Sequence, residues 1–137
     1  MKPLPRLYAI ADASFGDPIQ LAKILFSGGA SLVQVRNKKG GTRELLDQVE
    51  RILKIAPHGA EVIVNDRVDV ARIAGAAGVH LGQTDLPIRE SRRILGLDRI
   101  IGVSTHNLEQ AREADKLPVD YIAVGPIFPT GTKENPD

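Results

Sequence analysis

The chain has 137 residues, a formal net charge of +1 and no cysteine, and 42% of its residues are hydrophobic. This length fits one small domain, the balanced charge argues against a general nucleic-acid binder, and the missing cysteines exclude disulfides, thiolate zinc sites and a cysteine nucleophile. No apolar run reaches the ~18 residues of a membrane span, and the opening residues mix charges and prolines unlike a signal peptide, so we expect a cytoplasmic protein.

Six short apolar runs recur along the chain, each about four residues long and rich in β-branched residues. They lie at 7–10, 32–35, 62–64, 78–81, 100–103 and 121–124. Runs that are apolar on both faces are typical of buried parallel strands, and the spacing between them fits helical crossovers better than hairpins. We therefore predict six parallel strands.

Helix signals fill the segments between these runs. Asp17 followed by Pro18 predicts the start of a first helix, and Gly28 predicts its end. The predicted starts of the four following helices are Thr42, Asp66, Pro87 and Asn107. Because strands and helices alternate without a linker, we predict a single α/β domain over residues 1–137.

Polar residues follow the carboxyl ends of five consecutive predicted strands. These groups begin at Gln34, Asn65, Gly82, Ser104 and Gly125. A doubly wound sheet concentrates its site at one switch point, whereas a (β/α)8 TIM barrel gathers its site from the ends of many strands. The length would suit a doubly wound, flavodoxin-like domain, but the placement of the polar residues favours the barrel.

Asp66 and Asp85 stand one strand–helix unit apart, each just after a predicted strand. On adjacent parallel strands both carboxylates would lie on one rim, and two carboxylates with phosphate oxygens of a ligand are a common way to hold Mg2+. Asp is also a favoured helix N-cap, so both residues have a purely structural alternative.

Cationic residues are predicted at the same rim. Arg36 and Lys38 follow the second strand, where we expect them to project to one side, and Lys133 follows the sixth. Each alone is more often a surface charge, but Lys and Arg side chains suit phosphate or diphosphate recognition. Their convergence with Asp66 and Asp85 favours a magnesium–diphosphate site.

Ser104 precedes Thr105 and His106, a run that suggests a nucleophile beside a base. No orienting acid or nucleophile-elbow motif accompanies it, and Ser and Thr often cap helices, so we predict helix capping instead of covalent catalysis. Neither a Walker A nor a GxGxxG motif occurs, which disfavours P-loop NTPases and Rossmann dehydrogenases. We assign no role to His58 or His80.

Together these motifs resemble the thiamine phosphate synthase family. The similar segments are 7–12, 33–38, 64–71, 78–87, 101–106 and 124–133. The resemblance implies a (β/α)8 barrel of which the chain holds about the first six strands and five helices. It also implies a Mg2+-dependent transferase, in which hydroxymethylpyrimidine diphosphate loses pyrophosphate and the thiazole nitrogen of hydroxyethylthiazole phosphate takes its place, giving thiamine phosphate.

The resemblance also assigns residues to this chemistry. The residues implied to bind the pyrimidine diphosphate are Gln34, Arg36, Lys38, Asn65, Ser104 and Lys133. Ser104 would lie beside the reacting pyrimidine and the departing pyrophosphate without forming a covalent bond. Thr130 and Thr132 would contact the thiazole phosphate, and Asp66 and Asp85 would hold Mg2+.

Two alternatives stay open from the sequence. One is a thiazole tautomerase-like barrel, which has no evident use for paired carboxylates. The other is an inactive fragment or binding protein, because eight strand–helix units need more residues than this chain has. On that count we expect a partial barrel without strands seven and eight, which self-associates or turns over negligibly alone. We expect no nucleic-acid or membrane partner, and a homo-oligomer is left open.

Overall fold

A computed structural model, which describes residues 3–129, shows six parallel strands alternating with five helices. The strands are β1 (Ala9–Asp12), β2 (Leu32–Arg36), β3 (Glu61–Asn65), β4 (Gly78–Leu81), β5 (Ile100–Thr105) and β6 (Tyr121–Val124). The helices are α1 (Pro18–Ser27), α2 (Thr42–Ile55), α3 (Val68–Ala74), α4 (Ile88–Leu95) and α5 (Leu108–Ala114). The predicted alternation is confirmed, and the observed strand boundaries lie within about two residues of the predicted ones.

The strands are arranged in chain order, from β1 at one edge to β6 at the other, and every neighbouring pair is parallel. A doubly wound sheet would reverse its order at a switch point, whereas steps in one direction place the helices on one face. The sheet is strongly curved, because the hydroxyl groups of Tyr8, just before β1, and Tyr121, on β6, are 2.8 Å apart. The predicted barrel-type architecture is confirmed, and the doubly wound alternative is wrong.

Alternate residues of each strand face opposite sides of the curved sheet. One set packs beneath the helices and forms the main core, and its fully buried members include Val33, Val35, Val62, Val64 and Val79. Burial of each such side chain contributes roughly 1.5–3 kcal/mol to stability. The other set faces the concave side and carries the polar residues described below. The helix-facing layer therefore contributes most of the core that stabilises the fold.

Side-chain caps fix two helix starts as predicted. Asp17 Oδ1 accepts a hydrogen bond from the Ile19 N–H at 3.1 Å, and Asn107 Oδ1 accepts one from the Gln110 N–H at 2.9 Å. Each cap satisfies a backbone donor that lacks a partner within its helix. Across residues 3–129, no helix combines the length and the apolar character needed to cross a bilayer.

Helix α2 begins at the predicted residue, Thr42, but the predicted capping role of Thr42 and the predicted start of α3 at Asp66 are wrong. The N-cap of α2 is Gly41, and the hydroxyl of Thr42 accepts a hydrogen bond from Arg67 instead of capping its own helix. The N-cap of α3 is Arg67, one residue later than the predicted start at Asp66. In both cases a side chain predicted to act locally contacts another element, which helix propensity cannot anticipate.

Candidate active site at the carboxyl ends of the strands

An unusual turn presents the Asp66 carboxylate at the end of β3. Asp66 has φ 63°, its N–H donates to the carbonyl of His80 at 2.8 Å, and the N–H of Arg67 donates back to the carbonyl of Asn65 at 2.8 Å. A three-residue hydrogen-bonded turn with positive φ at its centre is the strained form of the γ-turn. Strain of this kind in a residue other than glycine is typical of functional sites.

Asp85 lies beside Asp66, in the turn after β4. Its Oδ2 accepts a hydrogen bond from the Gly82 N–H at 2.6 Å. Burial raises the pKa of Asp85, the hydrogen-bonded Asp66 raises it further, and the Gly82 N–H and Lys38 act in the opposite direction. Lys38 Nζ is 2.7 Å from Asp66 Oδ2. The structure thus brings together both predicted metal ligands and one predicted diphosphate-binding cation.

The chemistry of this carboxylate pair fits a magnesium ion. Two carboxylates in contact repel each other when both are ionised, so a cation between them is favoured. Within residues 3–129, acidic and histidine side chains form no cluster of three or more that would enclose a metal. Mg2+ commonly uses one or two carboxylates and completes its coordination with water and substrate phosphate. The two carboxylates therefore suit a site at which water and substrate phosphate would supply the remaining ligands of the ion.

Arg36 lies at the same rim on the side of β1. It forms an ion pair with Asp12, whose Oδ1 also accepts hydrogen bonds from the N–H and hydroxyl of Ser14, at 2.9 and 2.8 Å. Although burial opposes the effect, the hydrogen bonds from Ser14 and Arg36 hold the pKa of Asp12 below its ordinary value. Arg36 and Lys38, which we expected to project to one side, thus contact carboxylates at the ends of different neighbours of β2: Asp12 of β1 and Asp66 after β3.

A chain of hydrogen-bonded side chains crosses the concave side below this rim. Gln34 Nε2 donates to Tyr8 Oη at 3.0 Å, and Tyr8 Oη is 2.8 Å from Tyr121 Oη. Tyr121 Oη is in turn 2.8 Å from His80 Nδ1, and His80 Nε2 is 2.8 Å from Ser104 Oγ. These five residues come from the β1 end and from strands β2, β4, β5 and β6, so the polar chain spans the barrel.

Donor and acceptor chemistry gives the polar chain a direction. The Gln34 amide nitrogen can only donate, so we assign Tyr8 as donor to Tyr121 and Tyr121 as donor to His80 Nδ1. His80 then carries its hydrogen on Nε2 and donates to Ser104. Burial raises the pKa of both tyrosines, which keeps their hydroxyls protonated. With this assignment Ser104 Oγ accepts from His80, so the Ser104 hydroxyl hydrogen takes no part in that bond.

Ser104 therefore has a different environment from the predicted one. It belongs to β5, so the predicted capping role for Ser104 and Thr105 is wrong; the following helix is capped by Asn107. The partner of the Ser104 hydroxyl is His80 and not His106. The Nδ1 of His106 lies 2.7 Å from the Gly125 carbonyl oxygen instead. The Nδ1 of His80 meets a tyrosine hydroxyl instead of a carboxylate, so the arrangement differs from a Ser–His–acid triad.

Gly102 provides the space for the Tyr121 ring. A β-carbon at this position would overlap the ring of Tyr121, and one at Gly78 would overlap the backbone of Ile100. The Tyr121 ring stacks on His80 with centroids 5.6 Å apart and meets Tyr8 edge-on at 5.7 Å. Gly102 thus allows the Tyr121 ring to pack on the concave side, and Gly78 allows the close approach of β4 to Ile100 on β5.

The predicted site residues fall into three groups. Asp66 contacts both Lys38 and Asp85, and Asn65 is buried at the end of β3. Gln34 and Ser104 are the two ends of the polar chain, and Arg36 lies at the β1 side. Thr130, Thr132 and Lys133 lie outside the described residues.

Sequence reasoning missed Tyr8, Tyr121 and His80. One available signal was strand alternation, because His80 falls on the inward-facing positions that Gln34 and Ser104 also occupy. A second was composition, since Tyr8 and Tyr121 are the chain's two tyrosines, one next to the first predicted strand and the other in the sixth. Neither signal alone predicts that the three side chains meet.

Comparison with known proteins gives consistent similarities. Residues 7–137 match the family model described as thiamine monophosphate synthase. The chain is 47% identical over 137 residues to thiamine-phosphate synthase from Shouchella clausii, with 97% of this chain and 65% of the relative covered. It is also 47% identical over 141 residues to thiamine-phosphate synthase from Koribacter versatilis, with 98% and 67% covered.

The fold has a solved counterpart. Thiamine phosphate pyrophosphorylase from Pyrococcus furiosus superposes with a TM-score of 0.84 at 36% sequence identity, over 90% of this chain and 61% of that one. The chain thus spans about two thirds of the length of the curated relatives it matches.

Proposed function

This chain belongs to the thiamine monophosphate synthase family, and we propose that its strand ends bind hydroxymethylpyrimidine diphosphate and support its condensation with hydroxyethylthiazole phosphate to thiamine phosphate and pyrophosphate. The observation that carries the proposal is the contact group of Asp66, Asp85 and Lys38, with Arg36 on the same rim. Paired carboxylates beside cations match a substrate that carries several negative charges and binds with a divalent cation.

Each polar group has a proposed task. The residues proposed to bind the pyrimidine diphosphate are Gln34, Arg36, Lys38, Asn65, Ser104 and Lys133. Gln34 and the tyrosines of the polar chain are uncharged, and such surroundings tolerate an uncharged aminopyrimidine ring better than a diphosphate. Ser104 would donate its hydroxyl hydrogen at the junction between ring and diphosphate, and Thr130 and Thr132 would bind the thiazole phosphate.

Asp66 and Asp85 are proposed to hold Mg2+, which when bound would offset part of the negative charge that the leaving pyrophosphate acquires. Lys38 and Arg36 act in the same sense from the protein side, because fixed cations stabilise charge that develops as the bond to the leaving group breaks. The electron-rich pyrimidine ring stabilises its own cationic centre, so the chain need not supply a covalent nucleophile. Binding both substrates at one rim adds a proximity effect of several kcal/mol.

The test is the release of pyrophosphate from hydroxymethylpyrimidine diphosphate, with thiazole phosphate and Mg2+ present. Made in a protein of full family length that contains this segment, Asp85→Asn and Asp66→Asn should each lower the rate about 100-fold or more, because each removes a charge on which the transition state depends. Asp47→Asn is the matched control, since Asp47 pairs with Arg51 on the exposed surface of α2, away from the carboxylate pair. Unchanged pyrophosphate release after metal depletion, or in Asp85→Asn, would contradict the proposal.

The same assay separates the tautomerase alternative. A tautomerase would exchange a proton on the thiazole carboxylate phosphate without the pyrimidine substrate and without a divalent cation. We expect no such exchange.

The substrates are small molecules, and we also propose a cytoplasmic location, which fractionation of cells expressing the tagged chain would test.

A further inference from the structure

Arg67 connects three segments beside the carboxylate pair. Its Nε and Nη2 donate to Oδ1 and Oδ2 of Asp69 at 3.0 and 2.6 Å, and its Nη1 donates to Thr42 Oγ1 at 2.8 Å. Asp69 lies in the first turn of α3, and Thr42 is the first residue of α2. One planar guanidinium therefore joins the β3–α3 turn to the start of the neighbouring helix.

The two joined segments carry the charged groups that meet at the site. Asp66, in its strained turn, is the residue directly before Arg67. Lys38 lies in the short loop that ends at Thr42. The other end of that loop is held by Asn37, whose Nδ2 donates to Glu44 Oε1 and whose Oδ1 accepts from the Gly40 N–H. The loop is thus fixed at one end by Asn37 and at the other by Arg67.

We propose that Arg67 is a positioning residue, which clamps the Lys38 loop to the Asp66 turn and so sets the alignment of Lys38 with the two carboxylates. The inference rests on the proposed function for its purpose, but the clamp itself rests on the three hydrogen bonds of Arg67. An isolated exposed ion pair contributes little to stability. Arg67 differs because its two hydrogen bonds to Asp69 and its hydrogen bond to Thr42 fix the orientation of the guanidinium as well as its distance from each partner.

The clamp has a physical task, because the turn at Asp66 is strained. A residue with positive φ relaxes unless its surroundings hold it, and relaxation here would swing the Asp66 carboxylate away from Asp85. The hydrogen bonds from Arg67 lower the pKa of Asp69, which shows that they favour the charged form of this carboxylate. Residues that orient metal ligands from behind commonly change metal affinity by roughly tenfold or more when replaced.

The experiment compares five variants of the full chain: Arg67→Ala, Arg67→Lys, Thr42→Val, Thr42→Ser and Arg51→Ala. Lys at position 67 cannot reproduce the two-pronged hydrogen bond of the guanidinium to Asp69. Val at position 42 removes the hydroxyl that accepts from Arg67, and Ser at position 42 retains it. Arg51→Ala is the matched control, because Arg51 also pairs with a carboxylate on an exposed helix surface, 3.4 Å from Asp47. Circular dichroism first establishes that each variant is folded.

Two measurements follow. Hydrogen exchange monitored by mass spectrometry reports the backbone of residues 37–45 and 65–70, and electron paramagnetic resonance reports Mn2+ binding in the presence of inorganic pyrophosphate. We expect Arg67→Ala, Arg67→Lys and Thr42→Val to accelerate exchange in both segments and to weaken Mn2+ binding by roughly tenfold. Thr42→Ser and Arg51→Ala should resemble the parent chain in both measurements.

The two readouts distinguish failure of the clamp from failure of the proposed function. Unchanged exchange and unchanged Mn2+ affinity in Arg67→Ala would overturn the clamp, as would equal effects of Thr42→Val and Thr42→Ser. Absence of Mn2+ binding by the parent chain would contradict the proposed function, and the exchange data would still decide whether Arg67 joins the two segments. If Arg67→Ala does not fold, Thr42→Val gives the same test without removing a charge.

Discussion

The polar chain across the concave side predicts a specific coupling between Tyr8 and Tyr121. Tyr121→Phe removes two hydrogen bonds of 2.8 Å, to Tyr8 and to His80. Tyr8→Phe also removes two, to Gln34 at 3.0 Å and to Tyr121. Each bond contributes about 1 kcal/mol net, so each single substitution should lower the free energy of unfolding by about 2 kcal/mol.

The double variant should cost less than the sum of the single ones. The bond between the two hydroxyls is shared, so the double substitution removes three hydrogen bonds, whereas the single substitutions count four. We therefore expect a loss of about 3 kcal/mol and a coupling energy of about 1 kcal/mol. Both substitutions keep the aromatic rings, so the edge-on contact of the rings at 5.7 Å is retained and little packing is lost.

Urea unfolding at low protein concentration, followed by far-ultraviolet circular dichroism, gives these free energies if the denaturant slope stays constant. Thr105→Val is the control, because the Thr105 hydroxyl donates to the Ala123 carbonyl at 3.1 Å and takes no part in the polar chain. Its effect should add to that of Tyr121→Phe. Additivity of the two tyrosine substitutions within about 0.3 kcal/mol would refute the shared hydrogen bond, and with it the closeness of β1 and β6.

Two further predictions concern a glycine and an ion pair. Gly102→Ala should displace the Tyr121 ring, because the added methyl group would overlap it; we expect roughly 1–3 kcal/mol of destabilisation and altered tyrosine near-ultraviolet circular dichroism, and an unchanged spectrum would contradict this. Asp12→Asn should destabilise the chain by roughly 1–2 kcal/mol at pH 7. The pKa of Asp12 in the folded chain lies below its ordinary 3.8, so the contribution of Asp12 to stability is present above pH 3.8 and is lost as pH falls through the folded pKa. The stabilities of parent and variant should therefore converge in acid. A difference in stability that stays constant with pH would exclude the ion pair as its source.

The parts of the fold that depend on local signals could be predicted from sequence. Apolar runs located all six strands, and Asp17 and Asn107 marked helix starts, because their side chains cap the backbone next to them in sequence. Thr42 carried the same signal and it failed there, since its hydroxyl is 2.8 Å from Arg67, 25 residues away. Local propensity cannot weigh a distant competitor for the same oxygen atom.

The candidate site likewise has contacts that could be predicted from the sequence and contacts that could not. The meeting of Asp66 and Asp85 follows from topology, because adjacent parallel strands place their carboxyl ends together. The meeting of Tyr8 and Tyr121 requires the curvature of the whole sheet, since these residues are 113 positions apart. The strained turn at Asp66 was also unpredictable, because a positive φ at aspartate is disfavoured locally and persists only through contacts that surround it.

The arrangement of neutral and charged groups along the strands follows from the cost of desolvation. The buried polar chain, from Gln34 to Ser104, contains side chains that satisfy one another's hydrogen bonds without ionised groups, so its burial costs little. The charged residues Arg36, Lys38, Asp66 and Asp85 lie at the strand ends, where water or an opposite charge offsets the loss of hydration. The proposed substrate has the same order, an uncharged ring joined to a diphosphate. If this substrate binds as proposed, the cost of burying charge favours an orientation with its ring toward Tyr121 and its diphosphate toward the carboxylate pair.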